Sequence, residues 1–261
     1  MKLDGVLFGL ALIFAASAPS LAVESHLLFT AVLADHVQDG LVNYRTLRAD
    51  KRLDQYIQQL AQTDPDGIVS EKARLAFWIN AYNAHTLKLI CDNYPVKSIN
   101  DLHGRGFGLR KVLRRTVWDR PLITINNRKT TLNAIEHEII RPLFNDPRIH
   151  FALVCAAKSC PPLRSEAYEG DKLDDQLDDQ GRQFLTDISN NSFNTEEKTA
   201  KMSRIFSWFA RDFGGSNEEI LTYIARFLPK DIADQIRANP RAWTVRYNEY
   251  DWSLNERHSM K

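Results

Sequence analysis

The stretch of residues 70–93 is the feature that most constrains how this chain can fold. It holds no Gly or Pro between residues 72 and 90, and Ser70 offers a side-chain oxygen that can cap a helix. Its apolar residues recur on nearly every helical face, a pattern typical of a helix that is buried on all sides. Because Pro95 disfavours further helix, the stretch predicts one long core helix that ends before it.

Amphipathic periodicity predicts further helices on both sides of this core helix. They cover residues 25–36, 51–62, 131–143, 171–188, 205–213, 218–228 and 230–238. Short strands are expected at residues 116–118 and 122–125, which could pair, and a buried strand at residues 151–155. Because helices and strands do not alternate regularly, the sequence favours an α+β fold, helix-rich around a small sheet. Without a Pro-, Gly- or Ser-rich linker, it predicts a single globular domain over residues 23–261.

The first 22 residues are predicted to be a cleaved secretory signal peptide and not part of the fold. Lys2 precedes an apolar run at residues 6–16, which is too short to span a bilayer comfortably. Ser20 and Ala22 then supply small residues of the kind that a signal peptidase recognises. We therefore expect a periplasmic or secreted protein with no membrane anchor after signal cleavage. Disulfides persist in such a compartment.

Charge and composition argue against several classes of partner. The chain has 34 basic and 33 acidic residues, so the concentrated positive charge of a nucleic-acid-binding protein is not expected. It has no paired Cys/His spacing of the zinc type. The sequence thus predicts no nucleic-acid partner, no metal and no cofactor. A small-molecule or peptide substrate stays open.

Residues 150–163 (HFALVCAAKSCPPL) contain two of the three cysteines of the chain. An apolar run leads into a short loop, so Cys155 and Cys160 are placed where a thiol can reach a substrate. A thiol nucleophile requires a lowered pKa, commonly from a paired histidine or a helix N-terminus. In an oxidising compartment the same thiols could instead form a short-loop disulfide. The sequence leaves both interpretations open.

The strand predicted in this segment bears on which histidine could serve as a base. Side chains alternate along a strand, which would place His150 and Cys155 on opposite faces. His150 is therefore not expected to act as a base for Cys155. His137 is the nearest alternative, because it lies on the predicted helix at residues 131–143, at the edge of an apolar face and beside Glu136. Cys160, on the loop, could meet either histidine.

Two amides, Asn80 and Asn83, occur within the otherwise apolar core helix. Buried amides must be hydrogen-bonded. One of them could orient a catalytic histidine, as the third member of a Cys-His-Asn arrangement does. Alternatively, both could tie neighbouring backbone segments in place. Glu136 is the other candidate for an orienting group.

Several motifs, taken in order, resemble the domain-of-unknown-function 547 family. They are residues 39–44 (DGLVNY), 77–84 (FWINAYNA), 132–137 (LNAIEH) with Arg141, 150–155 (HFALVC), 159–161 (SCP), 206–208 (FSW), 212–213 (DF) and 250–255 (YDWSLN). The resemblance covers residues 25–255 and implies an exported protein of a family defined by sequence and not by a reaction. It also allows an affinity to papain-like or transglutaminase-like thiol enzymes. Since His137 and His150 precede both cysteines, such a site would have to be circularly permuted.

Two functional hypotheses follow from these observations. The first is an exported thiol-dependent hydrolase or transferase that acts on amide bonds. Its candidate site residues are Cys155, Cys160, His137, Glu136, Asn80 and Asn83. One cysteine would be the nucleophile, the histidine the base, and the acid or an amide the orienting group. The second hypothesis is a non-catalytic periplasmic binding or scaffold domain with a Cys155–Cys160 disulfide.

Overall fold

A computed structural model of the chain describes residues 26–103 and 116–257, so the predicted signal peptide, residues 1–22, lies outside the described residues. The helices are α1 Leu27–His36, α2 Tyr44–Leu47, α3 Lys51–Gln62, α4 Glu71–Asn93, α5 Leu132–Ala134, α6 Arg141–Phe144, α7 Ile149–Ala152, α8 Leu173–Thr186, α9 Ile205–Trp208, α10 Asn217–Ile224 and α11 Lys230–Ala238. A π-helical segment, Ile135–Ile140, joins α5 to α6. None of the helices in the described ranges combines the length and the apolar character that crossing a bilayer requires.

The strands of the described ranges are short and pair into small sheets. They are β1 Val37–Gln38, β2 Leu41–Val42, β3 Ile123–Ile125, β4 Arg128–Thr130, β5 Ser192–Asn194, β6 Thr199–Met202 and β7 Thr244–Tyr247. β1 pairs with β2 and β3 with β4, both antiparallel, whereas β6 pairs antiparallel with β5 and parallel with β7. This combination of many helices with small sheets confirms the predicted α+β fold class.

The predicted pairing of residues 116–118 with residues 122–125 is wrong. β3 pairs instead with β4, which follows it directly in the chain. Asn126 and Asn127 form the connecting turn, with φ of 46° and 58°. Asn tolerates this left-handed conformation, and two such residues in succession match the twist of a tight hairpin.

Helix α4 is the long core helix that the sequence predicts. At its start, Ser70 Oγ accepts a hydrogen bond from Ala73 N (3.3 Å). Every residue from Leu75 to Leu87 is buried, and α4 packs against α3, α8 and the π-helical segment. Burying one large apolar side chain stabilises a fold by about 1.5–3 kcal/mol. The first hydrophobic core of the protein is therefore built around this helix.

The strand predicted at residues 151–155 is also wrong, because Ile149–Ala152 form a helical turn, α7. An Asp-Pro step starts this turn. Asp146 Oδ1 accepts a backbone hydrogen bond from two residues further on (2.9 Å), and proline, here Pro147, favours the first position of a helical turn. The apolar run that follows resembles a buried strand, so periodicity alone predicted the wrong element. His150 and Cys155 are therefore not held on opposite faces of a strand.

Two hydrophobic cores of the described chain meet at α7. The first surrounds α4, and the second contains the aromatic residues of the later helices, among them Phe184 and Phe206. α7 contributes to both, because Ile149 packs in the first core and Phe151 in the second. The loop that follows α7 consequently runs along the boundary between the cores, where a cavity can form.

Candidate functional site

A cavity of about 180 Å³ lies where α7 and the π-helical segment approach the C-terminal aromatic residues. Its walls combine thiols, titratable side chains and aromatic rings. Among the residues that line it are Cys155, Cys160, His137, His150, Glu136 and Tyr82. Within residues 26–103 and 116–257, no group of three or more His, Cys, Asp or Glu side chains is arranged to hold a metal ion. A concave site with a few convergent polar groups suits the binding of a small chemical group.

Cys155 lies in this cavity with three hydrogen-bond partners for its sulfur. Sγ lies 2.8 Å from Cys160 Sγ and 3.0 Å from Tyr250 Oη, and the backbone of Ala157 also hydrogen-bonds it. Burial opposes ionisation, yet these hydrogen bonds favour the thiolate and hold the pKa of Cys155 below its ordinary value. By contrast, burial raises the pKa of Cys91 to about 12. Cys155 therefore has the environment of a nucleophile.

Cys160 supports Cys155 and does not compete with it. Its Sγ accepts a hydrogen bond from Cys155 N (2.8 Å), and the residue is only 6% exposed. Burial and the neighbouring sulfur raise the pKa of Cys160 well above its ordinary value, so it stays a protonated thiol. Both cysteines are free in this structure. Of the two thiols that the sequence proposed, Cys155 is the one that the geometry favours as a nucleophile.

His150 belongs to a hydrogen-bonded chain with Asp212 and Arg141. Its Nε2 lies 2.7 Å from Asp212 Oδ2, and Arg141 binds the same carboxylate through Nε and Nη2 with two hydrogen bonds of 2.7 Å. The hydrogen bonds from His150 and Arg141 hold the pKa of Asp212 well below its usual range. Burial lowers the pKa of His150, so the ring is neutral near neutral pH.

The ring of His150 is held in one orientation. It stacks on Phe209, with ring centroids 3.9 Å apart, while Nε2 is tied to Asp212. A neutral imidazole that donates from Nε2 carries its lone pair on Nδ1. Nδ1 has no hydrogen-bond partner in the described part of the chain, and His150 lines the same cavity as Cys155. His150 is thus an oriented candidate for the base, contrary to the expectation from strand alternation.

His137 lies on the cavity wall with a different partner. Its Nδ1 is 3.0 Å from Arg141 Nη1. Since a guanidinium only donates hydrogen bonds, Nδ1 accepts and its lone pair is occupied. Burial and the positive charge of Arg141 lower the pKa of His137. A ring in this state can donate from Nε2 but offers no free lone pair, which makes His150 the better candidate for the base.

Glu136 brings a carboxyl group to the same cavity. It lies in the π-helical segment, a type of element that often occurs at functional sites. Burial raises the pKa of Glu136 to about 7, although a hydrogen bond from Tyr82 and the charge of Arg141 act in the opposite direction. The carboxylate that orients a histidine is Asp212 and not Glu136.

Asn80 and Asn83 are buried in α4 and bind backbone groups. Asn80 Nδ2 donates to Tyr168 O (2.8 Å), and its Oδ1 accepts from Tyr168 N (2.9 Å). Asn83 Nδ2 donates to Ala152 O (2.9 Å), and its Oδ1 accepts from Val154 N (3.0 Å). Both amides are used by the backbone, so neither is left to orient a histidine. Asn83 instead fixes the backbone just before the cysteine loop.

The backbone of the cysteine loop is unusual directly after Cys155. Ala156 has a φ of 58°, a left-handed conformation that costs a residue with a Cβ about 1–2 kcal/mol. The C-terminal segment holds it there, because Asn255 N donates to Ala156 O (3.1 Å) and Lys158 N donates to Ser253 O (2.9 Å). Strained backbone that the surroundings enforce is typical of active sites.

Asp212 and Tyr250 are site residues that the sequence analysis missed. They reach the site across 62 and 95 residues, measured from His150 and Cys155. Both occur in motifs of the family resemblance, residues 212–213 and 250–255. Each motif combines aromatic residues with a polar group, and packing in a hydrophobic core alone does not require such a group. This combination was the signal that could have indicated a site residue.

The fold and the site define a helix-rich α+β protein that holds a thiol, a histidine–aspartate pair and a half-buried carboxyl at one aromatic cavity. Residues 68–185 match the model of a family described as protein of unknown function, DUF547. This match over residues 68–185 supports the resemblance to the domain-of-unknown-function 547 family that the motifs indicated. Comparisons with curated proteins and with solved structures found no match, and a papain-like or transglutaminase-like affinity is not confirmed.

The matched segment contains most of the site but not all of it. Helix α4, the π-helical segment, His150 and both cysteines of the loop lie within residues 68–185. Asp212 and Tyr250 lie C-terminal to it. The partner of His150 and one partner of the Cys155 sulfur are thus supplied by the part of the chain that follows the matched segment.

Proposed function

We propose that the protein is an exported thiol-dependent hydrolase or transferase that acts on amide bonds. Cys155 is the nucleophile, His150 the base, and Asp212 the group that orients the base. One observation carries this proposal: Cys155, with its lowered thiol pKa, lines the same cavity as the His150–Asp212 pair, whose histidine keeps a free lone pair. These residue types are those of a Cys-His-Asp triad, with the aspartate bound here to Nε2 of the histidine, so that Nδ1 is the nitrogen left for the thiol.

The reaction that this arrangement supports has two steps. In the first, His150 Nδ1 accepts the Cys155 thiol proton as the sulfur attacks the carbonyl carbon of the amide. The C–N bond breaks, the leaving amine takes that proton, and a thioester forms on the sulfur. In the second, water or an amine attacks the thioester carbonyl and loses a proton to His150. The sulfur leaves as the thiolate, and His150 returns the proton to it.

Alkylation with iodoacetamide tests the nucleophile. Reduced native protein should be labelled at Cys155 with an apparent pKa below the ordinary thiol value, and Cys155→Ala should abolish this labelling. Cys91 is the matched control, because its raised pKa predicts a much slower reaction. Faster labelling of Cys91 or Cys160 than of Cys155 would show that the nucleophile is assigned wrongly.

Export is the other part of the proposal. Lys2, the apolar run at residues 6–16, and the small residues Ser20 and Ala22 support it. The full chain, expressed in a bacterial host, should be recovered from the periplasm or the medium with a mass that lacks residues 1–22. A full-length chain confined to the cytoplasm would contradict export and leave the thiol chemistry to be judged by alkylation.

A second candidate function is favoured by the closeness of the two sulfurs, which lie 2.8 Å apart. In an oxidising compartment, Cys155 and Cys160 would form a disulfide, and the protein would be a non-catalytic periplasmic binding or scaffold domain. Mass spectrometry of protein purified without reductant separates the two candidates. A mass lower by two hydrogens, with no labelling of Cys155, supports the disulfide, whereas free thiols support the nucleophile.

A further inference from the structure

The carboxyl group of Glu136 has no role in the proposed thiol reaction, although it lines the same cavity. It accepts a hydrogen bond from Tyr82 of α4. Within the two described ranges Glu136 forms no salt bridge, whereas the nearby guanidinium of Arg141 is already bound by both oxygens of Asp212. A buried carboxylate without a cationic partner is costly, and a positively charged ligand would remove that cost.

Aromatic rings form the adjoining wall of the cavity. The ring centroids of Trp208 and Tyr250 lie 4.7 Å apart, those of Tyr250 and Trp252 lie 4.6 Å apart, and Trp118 lines the cavity as well. Trp208 is 47% exposed, so this cluster reaches the protein surface. The faces of aromatic rings attract cations, and tryptophan does so most strongly. The cluster and the carboxyl of Glu136 are therefore complementary to the same kind of ligand.

We propose that the cavity recognises a positively charged aliphatic group, an ammonium or quaternary ammonium, carried by the substrate close to the amide that Cys155 attacks. This inference rests on the proposed thiol function and names its substrate class. Glu136 supplies the opposite charge, while Trp208 and Trp252 supply ring faces. The cavity volume of about 180 Å³ suits one side-chain-sized group.

The other charged groups near Glu136 leave the cavity negative. Arg141 is neutralised by Asp212. The lowered pKa values of His137 and His150 keep both rings neutral near neutral pH.

Two further ionisable groups of the cavity lie near the carboxyl. Tyr82 stays protonated, because burial raises its pKa well above the ordinary value, and Cys155 adds negative charge when it ionises. Since burial raises the pKa of Glu136 to about 7, its negative charge develops as the pH rises through that value. Affinity for a cation should therefore increase over the same range.

Thiol reagents of different charge test this proposal at Cys155. Methanethiosulfonates that carry a trimethylammonium, a methyl or a sulfonate end group transfer their thio group to a thiolate, which forms a mixed disulfide and releases methanesulfinate. Each rate constant is divided by that for glutathione, so that intrinsic reactivity cancels. We expect the cationic reagent to exceed the anionic one by at least about 10-fold, a typical size for one charge pair in a partly buried site.

Variants of two glutamates in the π-helical segment make the test specific for Glu136. In Glu136→Gln, the ratio of the rate constant for the cationic reagent to that for the anionic reagent should approach the ratio measured for glutathione. Glu138→Gln is the matched control, because Glu138 is exposed on the same run and should leave the ratio unchanged. In the unmodified protein the ratio should rise from about pH 6 to about pH 8, and in Glu136→Gln it should stay flat.

The outcomes separate this inference from the proposed function. Reaction at Cys155 without charge preference, or a preference that survives Glu136→Gln, overturns cation recognition and leaves the nucleophile intact. If none of the reagents modifies Cys155, the nucleophile fails, and equilibrium binding decides the inference. Choline should then change the tryptophan fluorescence of the Cys155→Ala protein, while its uncharged tert-butyl analogue should not. An equal response to both compounds overturns the proposal.

Discussion

Two histidine–aspartate pairs in this protein have the same kinds of hydrogen bond at the carboxylate. His36 Nε2 lies 2.9 Å from Asp50 Oδ2, and His150 Nε2 lies 2.7 Å from Asp212 Oδ2. Each carboxylate also binds an arginine at hydrogen-bond distance. These contacts hold the pKa of both aspartates well below the usual range. At the carboxylate end, the two pairs are therefore alike in charge and in hydrogen bonding.

The second ring nitrogen distinguishes the pairs. His36 Nδ1 lies 2.9 Å from Thr46 Oγ1, so both of its nitrogens are used within the fold. His150 Nδ1 has no partner in residues 26–103 and 116–257, and its ring lines the cavity that holds Cys155. A histidine–aspartate pair is thus a structural tie when both nitrogens are bound, and it can serve as a base when one nitrogen is left for a reactive group.

The largest expected difference between the pairs is the reactivity of Cys155. His150→Gln removes the proposed base, and we expect the rate constant for alkylation near neutral pH to fall by about 100-fold. His36→Gln should change this rate constant by less than about 2-fold, because His36 does not line the cavity and contacts neither cysteine. Iodoacetamide kinetics with peptide mapping measure both variants. An equal loss of reactivity in the two would indicate damage to the fold and not removal of a base.

The next effect concerns stability in acid. Both aspartates have a folded-state pKa below the unfolded value of 3.8, so the unfolded state binds more protons between those values. Their stabilisation is complete above that pH and is lost as the pH falls towards the folded pKa. Asp50→Asn and Asp212→Asn should each lower the free energy of unfolding at neutral pH by about 1–3 kcal/mol.

Urea unfolding across the acidic range measures this effect, and both variants should lose stability less steeply with falling pH. Alkylation then separates the two pairs. Asp212→Asn should also slow the labelling of Cys155, because Asp212 binds the proposed base, while Asp50→Asn should not. Equal slowing by Asp50→Asn would contradict the distinction between a structural tie and a base.

The parts of the fold that the sequence could predict are those whose signal is local. Helix α4 carries its cap and its apolar faces within one stretch, so its limits agree with the prediction. α7 has four residues, too few for a helical period to show. The sheet of β5, β6 and β7 was not predicted, since β7 pairs with β6 across more than 40 residues and each strand has at most four.

The residues of the candidate site can likewise be divided into those with a local sequence signal and those without one. Cys155 and Glu136 could be proposed from composition and helix position, and both line the cavity. The choice of His137 over His150 depended on a strand that the structure replaces with a helical turn. Asp212 and Tyr250 come from distant segments, so only tertiary packing brings them to the histidine and the thiol.

A third prediction concerns Glu136, whose carboxyl lines the same cavity as His150. Its pKa is raised from 4.5 to about 7 in the folded state, so the folded protein binds more protons than the unfolded chain between these values. Stability therefore falls as the pH rises through this range and stays lower above it. Glu136→Gln removes this cost and keeps an acceptor for Tyr82. We expect it to be more stable than the unmodified protein by about 1–3 kcal/mol above pH 7, with no such gain near pH 4.

Thermal or urea unfolding at the two pH values measures this gain. Glu138→Gln, an exposed acid on the same helical run, should show no pH-dependent gain. If Glu136→Gln changes the free energy of unfolding by the same amount at both pH values, the pKa of Glu136 is not raised. The inference of a negatively charged cavity then loses its support.

The smallest expected effect concerns the contact between Thr46 and the second ring nitrogen of His36. Thr46→Val removes the hydroxyl that meets His36 Nδ1 and that also donates to Asn43 O (3.2 Å), with little change in volume. Because Thr46 is exposed, water can replace these contacts, so we expect the free energy of unfolding to fall by only about 1 kcal/mol. Thr46→Ser, which keeps the hydroxyl, should stay close to the unmodified protein.

The same variant shows whether a free nitrogen is enough to make a base. Thr46→Val leaves His36 Nδ1 without its side-chain partner, yet His36 does not line the cavity that holds Cys155. We therefore expect no new reactivity towards iodoacetamide or towards acylating agents. Acylation at His36 in this variant, measured by peptide mapping, would mean that the thiol cavity is not what distinguishes His150. An unreactive His36 would show that the neighbouring thiol, and not the histidine–aspartate pair alone, defines the site.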